Sequence, residues 1–263
     1  MSEMRDELAD LVADVRAALE ANRALGVVDE SVLDPVVEAV APADPPASAP
    51  TSSASTKEQP ALIAVPPGST LFAPGAESLA DVRQALGDCT RCGLCEGRRN
   101  IVFGVGDPEA DLMIVGEAPG FNEDRVGEPF VGAAGEMLDK MLVHVLGLQR
   151  EQVYIANVVK CRPPDNRNPA PAEVASCLPF LMRQIAAIQP RLILVLGSVA
   201  LKNLLDTTDG ITRSRGHWRE LHGIPVMPTF HPAYLLRNPA HKRLTFNDLK
   251  AVRARYDSLD GKR

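Results

Sequence analysis

The sequence predicts an α/β domain built on a central, mostly parallel four-stranded sheet. From about Glu77 onward, short apolar runs alternate with longer amphipathic stretches, the pattern of parallel strands covered by helices on both faces. Each apolar run closes on glycine or polar residues, as parallel strands do where they hand over to a loop. With 263 residues and 45% apolar content, the chain can bury one good core. No apolar run approaches the ~20 residues of a membrane span, so a soluble protein is expected.

The elements follow in chain order. Leu8, Leu11, Val12, Val15, Ala18 and Leu19 recur at helical spacing among charged residues, predicting an amphipathic helix within residues 1–28. Its apolar stripe needs a partner, either a replication protein or a second copy. Residues 29–75 turn to Pro, Ala, Ser and Thr, as in APADPPASAPTSSAS, and cannot bury enough apolar surface to order themselves, so a disordered linker is expected there. Residues 76–263 form the predicted folded domain, expected to be monomeric. Its strands are DLMIVGEAPG (111–120), VYIANVVKC (153–161), RLILVLGSVA (191–200) and IPVMPTFHPAYLL (224–236), the last breaking at His231-Pro232 and leading into a helix. Open parallel sheets bind ligands beyond the carboxyl ends of their strands, which gathers Glu117, Asn157, Ser198 and His231 on one rim. Taken singly, each has a plainer reading: GEAPG as a turn, the Asn and His as caps or satisfied core groups.

Charge is unevenly spread. The formal net charge of -6 comes from residues 1–60, with 12 acidic against 4 basic side chains; residues 61–263 carry 22 acidic and 24 basic. Residues 210–263 hold 11 Lys or Arg against 4 Asp or Glu, a surface suited to phosphate or simply a solvated basic helix face. Arg213, Arg215, Lys242 and Arg243 belong to it.

Five cysteines fall at Cys89, Cys92, Cys95, Cys161 and Cys177, with Cys161 inside the polar, proline-rich segment NVVKCRPPDNRNP (157–169). Met1 leads into SEMRDELAD, without a basic start or apolar h-region, so a reducing cytoplasm is expected, at the nucleoid if the source is prokaryotic. In that compartment a Cys-x2-Cys completed by later cysteines binds zinc or an iron–sulfur cluster; unligated core thiols are the alternative.

GEAPG (116–120) followed by Glu123, GEPFVG (127–132), NVVKCRPP (157–164) and HPAYLLRNP (231–239) occur together and in order. This set resembles the family-4, iron–sulfur uracil-DNA glycosylases over about residues 80–256. The resemblance implies a three-layer α/β/α sandwich and excision of uracil from single- or double-stranded DNA, leaving an abasic site for base excision repair.

That chemistry can be checked against the residues. A uracil inside a duplex must be flipped into a pocket that stacks on its face and reads its Watson–Crick edge. Phe130 matches the family's stacking ring. Asn157 is the candidate base reader, since a side-chain amide pairs with N3–H and O4 of uracil and mismatches cytosine at both. The resemblance places Glu123 near the C5 edge, where thymine's methyl must be excluded. Ala118 and Gly120 offer backbone groups and close approach. The departing base carries negative charge, chiefly at O2, and His231 resembles the family's donor to that oxygen. Glu117 and Asn166 are both candidates for positioning or polarising water, and their division of labour stays open. A wedge holding the base out is expected from Leu235 or Leu236, with Arg237 on phosphate.

The resemblance assigns Cys89, Cys92, Cys161 and Cys177 to a structural [4Fe–4S] cluster and leaves Cys95 as a free or neighbouring thiol. Other classes remain: a covalent trap, which lacks its basic insertion before the HP motif here; a non-catalytic metal-stabilised DNA-binding module; and, more remotely, electron transfer.

Overall fold

The computed structural model describes residues 77–259. The expected N-terminal helix and linker lie outside them. Among the described residues, six strands are Val105–Gly106 (β1), Leu112–Gly116 (β2), Tyr154–Asn157 (β3), Leu192–Leu196 (β4), Arg219–Leu221 (β5) and Ile224–Thr229 (β6). They form one sheet in the order β1-β3-β2-β4-β6-β5. The four expected strands, β3, β2, β4 and β6, pair in parallel at its centre. Two short antiparallel edges, β1 on β3 and β5 on β6, extend it beyond the four predicted. Both are too short to show an alternation in the sequence. The β5–β6 hairpin turns on His222-Gly223, both at positive φ, the geometry that suits the twist of the flanking strands.

The α-helices among the described residues are Leu79–Leu86 (α1), Leu94–Gly97 (α2), Phe121–Val126 (α3), Ala133–Met141 (α4), Pro171–Ile188 (α5), Ser198–Leu204 (α6), Ile211–Ser214 (α7), Pro232–Arg237 (α8) and Lys242–Asp257 (α9). Alternation along the strands sorts the core into two layers. Met113, Val115, Ile193 and Val195 pack with Leu181, Ile185 and Ile188 of α5 and Leu201 and Leu204 of α6. Leu112, Ile114, Leu192 and Leu194 face the other way, onto Leu138 and Met141 of α4 and Leu249 and Val252 of α9. This is the three-layer sandwich, and it explains why the central strands are apolar throughout. Among the described residues no helix is long and apolar enough to cross a membrane.

Register places the functional rim. Gly116 lies opposite Asn157, and Leu196 opposite Thr229, so the carboxyl ends of all four parallel strands finish at one level. Behind that rim, α9 is locked to β6 by one buried carboxylate. Asp248 accepts from Thr229 Oγ1 at 2.6 Å and from Arg215 Nε at 2.9 Å. Arg215, expected on the basic surface, is therefore committed to an internal ion pair, while Arg213, Lys242 and Arg243 are exposed. Asp248→Ala leaves a guanidinium and a hydroxyl without their partner in the core. It is expected to lower unfolding stability by about 3–5 kcal/mol, read from urea denaturation.

Candidate active site

A cavity of about 400 Å³ opens at the rim, and its lining includes Glu117, Ala118, Gly120, Glu123, Phe130, Asn157, Asn166, His231 and Arg237. Every residue expected from the sequence to touch the base or the reacting bond is thus brought to one place; Ser198 is not among its lining residues. Glu117 to Gly120 follow β2, Asn157 ends β3, and His231 follows β6 and caps α8.

Phe130 is held in the left-handed region at φ 55, a conformation a bulky residue adopts only when its surroundings impose it. Arg150 donates to the Pro129 carbonyl just before it. Glu123 accepts from the Val131 and Gly132 amides just after it, at 3.0 and 3.1 Å. Its other oxygen takes the Gly120 amide at 3.1 Å. Glu123 lines the cavity but spends its carboxylate on the two loops that shape it. Two glycines make room for the ring: a Cβ at Gly135 would meet the Phe130 carbonyl oxygen at 1.9 Å, and one at Gly116 would meet the ring at 2.7 Å.

Asn157 is 1% exposed, and its Oδ1 accepts no hydrogen bond from the protein. A buried amide oxygen left unmatched costs ~1–3 kcal/mol, which leaves this group able to accept from a donor on a ligand. Its backbone carbonyl is pinned from behind by the Lys160 ammonium at 2.8 Å. Lys160 is itself buried and bonded to Gln184 Oε1 at 2.6 Å, and burial brings its pKa down to about 8.

The His231 ring lies 5.5 Å from that of Phe130, centroid to centroid, at 29°. Its Nδ1 accepts the Ala233 amide at 3.1 Å, which leaves Nε2 as the protonated nitrogen of the neutral ring. Burial, reinforced by the positive charge of Arg237, lowers its pKa to about 4. The imidazole is therefore neutral at physiological pH and carries one N–H. Burial also raises the Glu117 carboxyl above its ordinary value. Asn166 sits exposed at the mouth at φ 53, its Oδ1 accepting from Arg162 Nε at 2.8 Å. Of the two wedge candidates, Leu235 is 1% exposed and anchors α8 in the core, whereas Leu236 is 42% exposed. Leu235 as a wedge is corrected accordingly; Leu236 is the outward one, next to the exposed Arg237.

Cys89, Cys92, Cys161 and Cys177 line one recess with apolar walls from Leu86, Leu94, Ile101 and Val159, and Cys95 is not part of its lining. None of the five is in a disulfide. N–H groups point at the sulfurs: Arg91 to Cys89 at 3.2 Å, Arg98 to Cys161 at 3.4 Å, and the Lys160 amide to Cys177 at 3.2 Å. Burial is the first cause of the raised pKa of Cys161 and of Cys177, the latter pushed up to about 11, and neighbouring sulfurs add to both. Four converging thiols with N–H donors behind them fit a thiolate-held iron–sulfur group. Among the described residues no three His, Cys, Asp or Glu are grouped so as to hold a metal ion.

Three supporting residues escape a reading of the sequence. Gly116 is legible there only as part of a turn; Arg98 and Lys160 carry no spacing that announces their partners.

Residues 103–250 match the profile of the Uracil DNA glycosylase superfamily. The chain is similar to the type-4 uracil-DNA glycosylase of Sulfurisphaera tokodaii, 44% identical over 185 residues covering 67% of this chain and 84% of that protein. The type-4 uracil-DNA glycosylase of Thermotoga maritima is 44% identical over 184 residues, 68% and 94% of the two chains. A type-5 uracil-DNA glycosylase of Pyrobaculum aerophilum is 33% identical over 164 residues, 56% and 71% of the two.

A methyl at position 116 would lie 2.4 Å from Asn157 Oδ1 as well as against Phe130. Gly116→Ala is expected to displace one of them and to cut base release from a uracil-containing oligonucleotide about 100-fold. The thermal midpoint should fall as well, an overpacked buried methyl costing about 1–3 kcal/mol, so base release is compared well below it.

Proposed function

The chain belongs to the uracil-DNA glycosylase superfamily, and on that premise we propose that it is a type-4 uracil-DNA glycosylase, acting in DNA repair on uracil flipped from single- or double-stranded DNA. The observation that carries this reading is the buried Asn157 amide with its unmatched oxygen, lining the same cavity as the Phe130 ring and the neutral His231 imidazole.

Phe130 offers its face to the base. Asn157 Oδ1 accepts from N3–H and its Nδ2 donates to O4, whereas cytosine presents the opposite pattern at both atoms. Glu123 and the Gly120 loop it fixes form the wall at the C5 edge, which would crowd a methyl. As the glycosidic bond lengthens, negative charge gathers on uracil O2 and the sugar gains oxocarbenium character. His231 Nε2 then hydrogen-bonds O2 without giving up its proton, a contribution of ~3–4 kcal/mol for a well-placed donor. Glu117, a carboxylate with raised basicity beside the sugar face, orients water and receives its proton as the new C–O bond forms; Asn166 helps hold that water. Uracil leaves as the anion and is protonated from solvent. Among the described residues no lysine lines the cavity, which supports hydrolysis by a monofunctional enzyme rather than a Schiff-base lyase. Leu236 enters the vacated stack while Arg237 holds phosphate.

Cys89, Cys92, Cys161 and Cys177 would hold a [4Fe–4S] cluster whose chemistry is structural, tying the residue 89–98 loop to the segment after Asn157. The cytoplasm is the compartment that fits such a centre.

The test is an end-labelled oligonucleotide carrying one uracil, incubated with protein and then heated in alkali. Strand cleavage only after alkali, and only at uracil, is expected; uracil-independent binding with no cleavage would overturn the reading. Glu117 should set the acid limb of the pH–rate profile. Its folded pKa is raised, so the active carboxylate is lost, as pH falls, already above the ordinary value of 4.5. Glu117→Gln should be slow and should lose that limb, whereas His231, with a pKa of about 4, should add no titration near neutrality. Cys177→Ser should lower bound iron per chain and visible absorbance together with thermal stability, whereas Cys95→Ser should leave the iron content unchanged.

A further inference from the structure

Beside the cavity mouth stands an aromatic ring that base excision does not use. Phe121 opens α3 directly after Gly120, a lining residue, and is 50% exposed. Two guanidiniums lie over its ring, Arg162 at 5.2 Å and Arg99 at 5.7 Å from the centroid, contacts that a base could replace as the guanidiniums turn to phosphate. The three residues come from three separate segments, so their meeting is a product of the tertiary fold. It is also held in place. Buried Asp124 accepts the Arg99 amide at 2.8 Å and the Asn100 amide at 3.3 Å, and Asn100 Nδ2 returns a bond to the Asp124 carbonyl at 2.8 Å. Arg162 follows Cys161 and is tied to Asn166 at the mouth. A second recess of about 240 Å³ adjoins, lined in part by Gly93, Leu94, Gly97, Arg162 and Pro164, and it shares Pro163 with the base cavity.

We propose that Phe121, Arg99 and Arg162 form a single-strand subsite that takes one nucleotide flanking the flipped uridine, its base stacked on Phe121 and its phosphate on the guanidiniums. This rests on the glycosylase reading. Three features commit the surface to DNA. It continues the base cavity through Gly120 and Pro163. Its two cations suit phosphate, and a ring face accepts any base, so the contact tolerates sequence, as an enzyme that must meet uracil in every context requires. In a duplex the flanking base is paired and stacked on its neighbours; in a single strand it is available to Phe121. The subsite therefore strengthens binding to single strands more than to duplexes.

The test uses the full-length protein and a single-stranded oligonucleotide with one uracil, together with a series in which each flanking nucleotide in turn is replaced by a baseless spacer. For the unsubstituted protein, one spacer position is expected to raise KM about 5-fold or more while kcat stays level. Phe121→Ala should raise KM for the intact strand by the same factor and become indifferent to that spacer; Phe121→Trp should restore the wild-type pattern. Arg99→Gln should flatten the salt dependence of binding by ~0.7 in log–log slope, the share of one single-strand phosphate. Wild-type KM in Phe121→Ala, or a penalty equal at every spacer position, would overturn the proposal. If the unsubstituted protein releases no uracil, the glycosylase reading fails by itself; the spacer series read as Kd by anisotropy then still decides whether Phe121 stacks a base.

Discussion

A side-chain carbonyl buried at the end of a strand, with nothing in the protein to bond it, is the constraint around which this domain is organised. Water would satisfy such a group at any surface position, and a small rotation would satisfy it in an ordinary core. Asn157 has no such donor within the protein and little freedom to turn. Its backbone is fixed by parallel pairing with Gly116, its carbonyl is held by Lys160, and the ring of Phe130 closes one side. An amide fixed in this way favours a ligand whose hydrogen-bond pattern matches it and penalises one that leaves it unpaired. The same logic accounts for the strain at Phe130, whose left-handed backbone is enforced from both sides by Arg150 and Glu123.

The electrostatics of the rim follow from burial rather than from net charge. His231 and Glu117 move in opposite directions for the same reason: burial disfavours the charged form of each, lowering the pKa of the imidazole and raising that of the carboxyl. A neutral donor and a stronger base are thereby obtained from ordinary side chains lining one cavity. The bond from the Ala233 amide to Nδ1 completes the arrangement, because it decides which nitrogen carries the proton.

Much of this is legible in the sequence. The four parallel strands show as apolar runs because both faces of the sheet are covered, and the rule that ligands sit beyond their carboxyl ends puts Glu117, Asn157 and His231 together. Other features carry no such signal. The edge strands are too short to alternate. Leu235 and Leu236 are adjacent and chemically identical; only the rotation of α8 decides that the first enters the core and the second faces solvent. Arg215 has the look of surface charge in the sequence, yet Asp248, more than thirty positions away, claims it. Glu123 is the subtler case: its place beside the cavity is expected, but its bonds to three backbone amides depend on a loop geometry that no spacing encodes.

The cysteine recess gains its meaning from the same connectivity. Lys160 and Cys161 are neighbours in the chain: the Lys160 side chain holds the backbone carbonyl of Asn157, while its amide points at Cys177. On the other side, Arg98 donates to the Cys89 carbonyl at 2.5 Å and to the Cys161 sulfur, and the next residue, Arg99, is pinned to α3 by Asp124. A rigid group held by the four thiols would therefore fix both the cavity wall that carries Asn157 and the outer surface around Phe121. Neither loop has a regular element long enough to hold itself, since α2 is a single turn and the residue 160–170 segment is rich in proline. A cross-link at this point would lie away from the cavity itself, yet it would control the geometry of both surfaces.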